Sequence, residues 1–132
     1  MARYVIGPDV AIELARDRVA VHGDHKLVAP TLLRSQMLAL LYQAVRRGEL
    51  TEKEAAARLD HVRSLRVRLL GDRVLQRVAW RVAHQLAWPD TFAAEYVALA
   101  QLQADALVTL DGGLAGAVRH LVRVASIEEL RQ

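Results

Sequence analysis

Four carboxylates stand where this chain could do chemistry: Asp9, Asp90, Glu95 and Asp111. Asp111 closes the run Ala106-Leu107-Val108-Thr109-Leu110, which is short, mostly apolar and reads as a buried strand of a parallel sheet. In open α/β sheets the ligand site lies at the carboxyl ends of the strands, so Asp111 falls where function tends to sit. Thr109, two residues earlier, points to the same side of that strand. Asp90 follows Trp88-Pro89 and is an expected N-cap for a helix whose apolar positions are Phe92, Tyr96, Val97, Leu99, Ala100 and Leu102. From that helix Asp90 and Glu95 can approach Asp111.

Other constellations are poorer. Among the five histidines, His22, His25, His61, His84 and His120, the pair His22-x-x-His25 has no third ligand at a spacing that suits zinc. No phosphate-binding glycine loop is present, and Gly112-Gly113 reads as a turn. Arg73, Arg77 and Arg81 recur at i, i+4 spacing and share one helix face. That face is either simply solvated or a track for RNA phosphates.

These residues need elements to position them. Tyr4-Val5-Ile6 is a β-prone run closed by Gly7-Pro8, and Asp9 then opens a helical pattern through Val10, Ile12, Leu14 and Ala15 as its expected N-cap. Val19-Ala20-Val21 and Lys26-Leu27-Val28-Ala29 flank a polar turn at residues 22–25. A long helix spans residues 31–47 and ends at Gly48. Thr51-Glu52-Lys53-Glu54 is a capping box that starts another, running to about Ser64. Val67-Arg68-Leu69-Leu70 is a strand candidate, and Asp72 caps a helix through Val74, Leu75, Val78, Ala79, Val82 and Leu86. Leu114 to Val118 forms a short helix and residues 121–124 a last strand. Ser126-Ile127-Glu128-Glu129 reads as a second capping box. Strands alternate with helices throughout, which predicts one α/β domain over residues 1–132 with a mostly parallel central sheet flanked by helices.

Composition narrows the classes. A chain of 132 residues is the size of one domain, and a 53% hydrophobic share is ample for its core. The net charge of +3 suits an anionic partner without requiring one. The absence of cysteine excludes disulfides and thiolate metal sites. No apolar run approaches the roughly 20 residues of a membrane span, and the N-terminus lacks the apolar segment of a signal peptide. A cytoplasmic, non-membrane protein is the expectation.

Residues 93–100, Ala-Ala-Glu-Tyr-Val-Ala-Leu-Ala, followed by Leu107-Val108-Thr109-Leu110-Asp111, resemble the C-terminal half of PIN-domain nucleases, particularly VapC-type toxins of toxin–antitoxin pairs. The usual wording there is close to Asp-Ala-x-Tyr-Val-Ala-Leu-Ala, then Leu-Val-Thr-x-Asp. The resemblance extends over essentially the whole chain. It implies a PIN-like fold and a Mg²⁺- or Mn²⁺-dependent endoribonuclease, in which clustered carboxylates hold the ion near RNA. It also implies a possible antitoxin partner. Hard divalent cations want oxygen ligands, and such an ion can activate water and stabilise a leaving oxygen.

Asp111 matches the fourth acid of that pattern directly. The first acid falls on Gly7, with Asp9 two residues later; Asp9 either replaces it or only caps its helix. The second, usually Glu, falls on Gln36, which is isosteric but neutral. The third falls on Ala93, for which Asp90, one turn earlier, is a better substitute than Glu95. The expected site is therefore Asp9, Asp90 and Asp111 as catalytic acids and metal ligands, with Gly7, Gln36, Ala93, Glu95 and Thr109 around the pocket. Arg73, Arg77 and Arg81 are the expected RNA contacts. An alternative is a catalytically silent PIN domain that binds RNA or a protein, and a third reading is a structural oligomerisation domain. The two long helices over residues 31–64 carry wide apolar faces, which points to a homodimer or to a clasped antitoxin segment.

Overall fold

A computed structural model describes residues 2–132. The first strand, β1 (Ala2–Ile6), lies in the middle of the sheet, because Tyr4, Val5 and Ile6 are apolar on both faces and all three are buried. Gly7 and Pro8 turn the chain into helix α1 (Pro8–Asp17). Strand β2 (His25–Pro30) then pairs with β1, Tyr4 opposite Leu27 and Val5 opposite Val28. Helices α2 (Leu32–Arg46) and α3 (Glu52–Ser64) lead to the short strand β3 (Arg68–Leu70), which pairs with β2. Helices α4 (Arg73–Gln85) and α5 (Phe92–Gln103) return the chain to the other side of β1, where β4 (Ala106–Val108) pairs with it. Helix α6 (Gly112–Val118), strand β5 (Val124–Ala125) and a 3₁₀ turn (Ile127–Arg131) finish the chain.

The sheet has five strands in the order β3-β2-β1-β4-β5, every pair parallel. This is the expected α/β architecture. Helices α1, α2 and α3 pack on one another, and α4 packs on α5. Strand order runs outward from β1 to β3 and then reverses to β4. With right-handed crossovers, that reversal puts the two helix groups on opposite faces. It also makes the β1–β4 junction the switch point, where an open sheet leaves a crevice beyond its strand ends. Helix α5 is the most enclosed: Ala94 and Tyr96 to Ala100 are all buried, against β1, β2, β4 and α4. No helix among the described residues is long and apolar enough to cross a membrane.

Two caps form as the sequence predicts. Thr51 and Glu54 make the reciprocal capping box of α3, both bonds 3.1 Å, and Asp72 accepts the Leu75 N–H at 2.9 Å to start α4. Gly48, at φ +77°, ends the α2 segment as only glycine does without strain.

Other expectations shift. The N-cap of α1 is Gly7 rather than Asp9, because Pro8 takes the first helical position, where its missing N–H is harmless. Strand β2 takes in His25 and Pro30 at the ends of the expected 26–29 run, and the last strand is Val124–Ala125 rather than residues 121–124, because Leu121 and Val122 still donate to the Val118 carbonyl at the end of α6. Thr91, not Asp90, is the N-cap of α5. Gly112-Gly113 is the first turn of α6 rather than a free turn, since the Asp111 cap stabilises helix there. Ser126 makes no side-chain cap, because the Glu129 N–H donates to the Ser126 carbonyl in the 3₁₀ turn, and the Glu129 carboxylate does not return the bond but binds Arg123 and Tyr4.

Candidate functional site

The crossover helices run antiparallel to the strands, so their first turns gather at the carboxyl edge of the sheet. Gly7 follows the end of β1, and its N–H donates to the Val108 carbonyl at the end of β4. A Cβ at Gly7 would stand 2.7 Å from Asp9 Oδ1. The Asp9 carboxylate thus fills the space that a side chain at position 7 would need. Its Oδ2 accepts the Leu110 N–H at 2.8 Å and the Thr109 hydroxyl at 3.1 Å, while Oδ1 accepts the Val10 N–H. Thr109 Oγ1 in turn accepts the Asp111 N–H at 3.1 Å. Asp9, Thr109 and Asp111 form one chain of hydrogen bonds across the switch point.

Asp111 also caps α6, its Oδ1 accepting the Leu114 N–H at 3.0 Å. Asp90 accepts the Phe92 N–H at 3.1 Å and so fixes the turn into α5 rather than capping it. Asp90, Ala93 and Asp111 line one groove of about 310 Å³, together with Trp88, Pro89, Gly113, Leu114 and Ala117. Ala93, in the first turn of α5, therefore faces the same groove as the two acids. Glu95 is not among the residues lining that groove, in keeping with its offset of two positions from Ala93 on the helix.

Gln36, in the second turn of α2, reaches the same edge from the β2 side. Its Oε1 accepts the Tyr96 hydroxyl at 2.5 Å. Burial pushes the Tyr96 hydroxyl far above its ordinary value, and the nearby charges of Glu95 and Asp9 push it further, so it stays a proton donor. Burial also raises Glu95 above the ordinary carboxylate range. The sequence reading treated Tyr96 only as an apolar position of this helix; the structure buries it in the core with its hydroxyl holding Gln36, a partner 60 residues away that no local spacing reveals.

The divalent cation that the resemblance implies would draw its oxygen donors from Asp9, Asp90 and Asp111. Each of Asp9, Asp90 and Asp111 already accepts a backbone N–H. Among the described residues, no group of three His, Asp or Glu stands close enough to hold one ion. As the side chains lie, Asp90 and Asp111 share a groove, while Asp9 is turned toward the Thr109–Leu110 backbone. The three carboxylates are thus not gathered round one point, but Asp90 Oδ2 and Asp111 Oδ2 accept no hydrogen bond among the described residues and remain open oxygen donors on residues that line one groove.

Arg73, Arg77 and Arg81 are all exposed on α4, as their spacing predicts, and they line a shallow hollow with Gln76, Trp80 and His84. On α2, Leu38, Leu40 and Tyr42 remain exposed. Helix α3 buries no residue fully, although Ala55, Leu59 and Val62 pack on the core.

No protein-family model matches the chain, and no curated protein matches it. Among solved structures it is similar to the crystal structure of PAE2754 from Pyrobaculum aerophilum, with a TM-score of 0.71 and 19% sequence identity over 98% of this chain and 94% of that one. At that identity the likeness is one of fold, and it extends over the whole α/β domain.

Proposed function

We propose that this chain is a PIN-like domain of the VapC type, an RNA-directed endoribonuclease with an altered acidic site. One observation carries the reading. Gly7, Gln36, Ala93 and Asp111, the four positions named by the resemblance, lie at the carboxyl edge of the sheet around the β1–β4 switch point, and Asp9 fills the space left by Gly7. The oxygen donors open to Mg²⁺ or Mn²⁺ are Asp9, Asp90 and Asp111. Asp90 and Asp111 each keep one oxygen free of hydrogen bonds, whereas both oxygens of Asp9 accept backbone N–H groups, so Asp9 has to turn or share an oxygen to join them, and an ion held by so few carboxylates is held weakly. A cytoplasmic protein, paired as a homodimer or with an antitoxin segment, completes this reading.

The second reading is a silent PIN-like domain that binds RNA or a protein. It is favoured by the carboxylates themselves, each of which has a structural hydrogen bond and no triad around it. RNA cleavage across a Mn²⁺ titration separates the two. The enzyme reading expects cleavage that needs millimolar metal, stops with EDTA and is lost in Asp111→Asn. Cleavage indifferent to EDTA overturns the metal mechanism. No cleavage at any metal level, with RNA or partner binding intact, selects the silent domain.

A further inference from the structure

We propose that the exposed face of α4 is a binding site for single-stranded RNA, in which Trp80 stacks on a base while Arg73, Arg77 and Arg81 hold the flanking phosphates. The proposal rests on the RNA-directed reading above and deepens it, by naming a surface outside the acidic groove. Helix α4 is divided cleanly. Leu75, Ala79, Val82 and Ala83 are buried, whereas Arg73, Gln76, Arg77, Trp80, Arg81 and His84 are exposed.

Trp80 is 72% exposed, which is unusual for a side chain that gains so much from burial. The helix carries no acidic residue, and among the described residues its three arginines make no ion pair. Of the other arginines, those at 16, 47, 63, 123 and 131 have carboxylate partners and eight have none among the described residues, so what marks the α4 set is that its three members line one hollow with Trp80. An indole flanked by unpaired guanidinium groups is the combination that single strands use: a π-face for any base and cations for the backbone.

The residues from Arg73 to His84 span about 16 Å at 1.5 Å per helical residue, room for a few nucleotides. His84 is four residues from Trp88, at most about 14 Å of extended chain, and Trp88 begins the acidic groove. The C-terminal end of the α4 face therefore lies within about 14 Å of the residue at which the Asp90–Asp111 groove begins. A second copy of this chain fits the face less well, because a two-fold contact sets the same arginines against each other.

The test is fluorescence anisotropy with a labelled mixed-sequence 12-nucleotide RNA in EDTA, where cleavage plays no part. Trp80→Ala should weaken binding about tenfold or more with the salt dependence unchanged, and Trp80→Phe should recover most of it. The triple variant Arg73→Gln, Arg77→Gln, Arg81→Gln should flatten the slope of log affinity against log salt by about 2, at roughly 0.7 per phosphate contact. All four side chains are exposed, and circular dichroism should be unchanged. Wild type that binds RNA with these variants binding equally well overturns the α4 site and leaves the RNA reading standing. Wild type that binds no RNA overturns both. Variants that keep RNA affinity but lose a dimer in light scattering overturn the site and assign the face to a second copy.

Discussion

Asp9 is the residue on which the candidate site turns, because its carboxylate does structural work that an amide can partly imitate. Asp9→Ala leaves the Leu110 N–H and the Thr109 hydroxyl without their acceptor, and should cost about 1–2 kcal/mol in urea denaturation. Asp9→Asn keeps one acceptor oxygen and should cost less than half of that, while removing the charge. If Asp9 is a metal ligand, the Asn variant loses cleavage at near-native stability; unchanged cleavage in that variant would reduce Asp9 to a structural residue. Ala93→Asp tests the other side of the groove. It sets a third carboxylate beside Asp90 and Asp111, so Mn²⁺ should raise its melting temperature more than that of wild type. A site filled at a hundredfold excess over Kd contributes about 2.7 kcal/mol. Gln36→Glu together with Ala93→Asp should raise cleavage further, and identical Mn²⁺ responses in wild type and both variants would show that the groove does not assemble a metal site. Glu95 gives a pH signature. Burial raises its carboxyl in the folded state, so the stability it contributes is present at low pH and is lost as pH rises through the folded value. Glu95→Gln should therefore be more stable than wild type at neutral pH and no more stable in acid, in parallel urea titrations.

At the scale of elements, the sequence was legible where local chemistry decides. The capping box at Thr51, the Asp72 cap and the strand–helix alternation need only neighbours within four residues, and each appears where it was expected. It was less legible where a distant partner competes. Asp9 looked like an N-cap, but while its Oδ1 takes the adjacent Val10 N–H, its Oδ2 goes to a backbone 101 residues away, which no local rule reveals. Glu129 looked like half of a capping box, yet Arg123 and Tyr4 offer it a charge-assisted bond and a hydroxyl. The Arg123 guanidinium holds the Glu129 carboxyl below its ordinary range, followed in effect by Tyr4. Asp111 could be placed at a strand end from sequence, but its second task as the α6 cap became visible only once Gly112 proved helical. Among the elements, α5 carries the core. Leu99→Ala should cost about 2–5 kcal/mol, since Leu99 is 2% exposed and α5 is packed on several sides. Thr51→Ala should cost about 1 kcal/mol through its capping box alone. Equal losses for these two variants would contradict the central place given to α5.

For the whole molecule, the question is what covers its remaining apolar surface. Leu38 and Tyr42 lie one turn apart on one face of α2 and are 60% and 64% exposed. Apolar exposure of this kind on one helix marks an association surface. The protein should be at least dimeric in light scattering, and Leu38→Glu with Tyr42→Glu should release monomer. A strict monomer at high concentration, in the absence of any partner, would assign that surface to a different molecule.

The central position of β1 also decides when the protein can finish folding. Its partner β4 is made about 100 residues later, so one edge of β1 has no strand to pair with until most of the chain exists. At roughly 5–20 residues per second, translation leaves that edge open for on the order of 5–20 s. An unpaired apolar strand is a template for other chains, and during this interval newly made copies are exposed to aggregation. A fragment of residues 2–103, which lacks β4, should accordingly be insoluble, while the full chain is not. Asp9 also cannot reach its Thr109 and Leu110 partners before then, and the groove between the start of α5 and α6 cannot close until α6 is made, so the candidate site comes into being only late in synthesis.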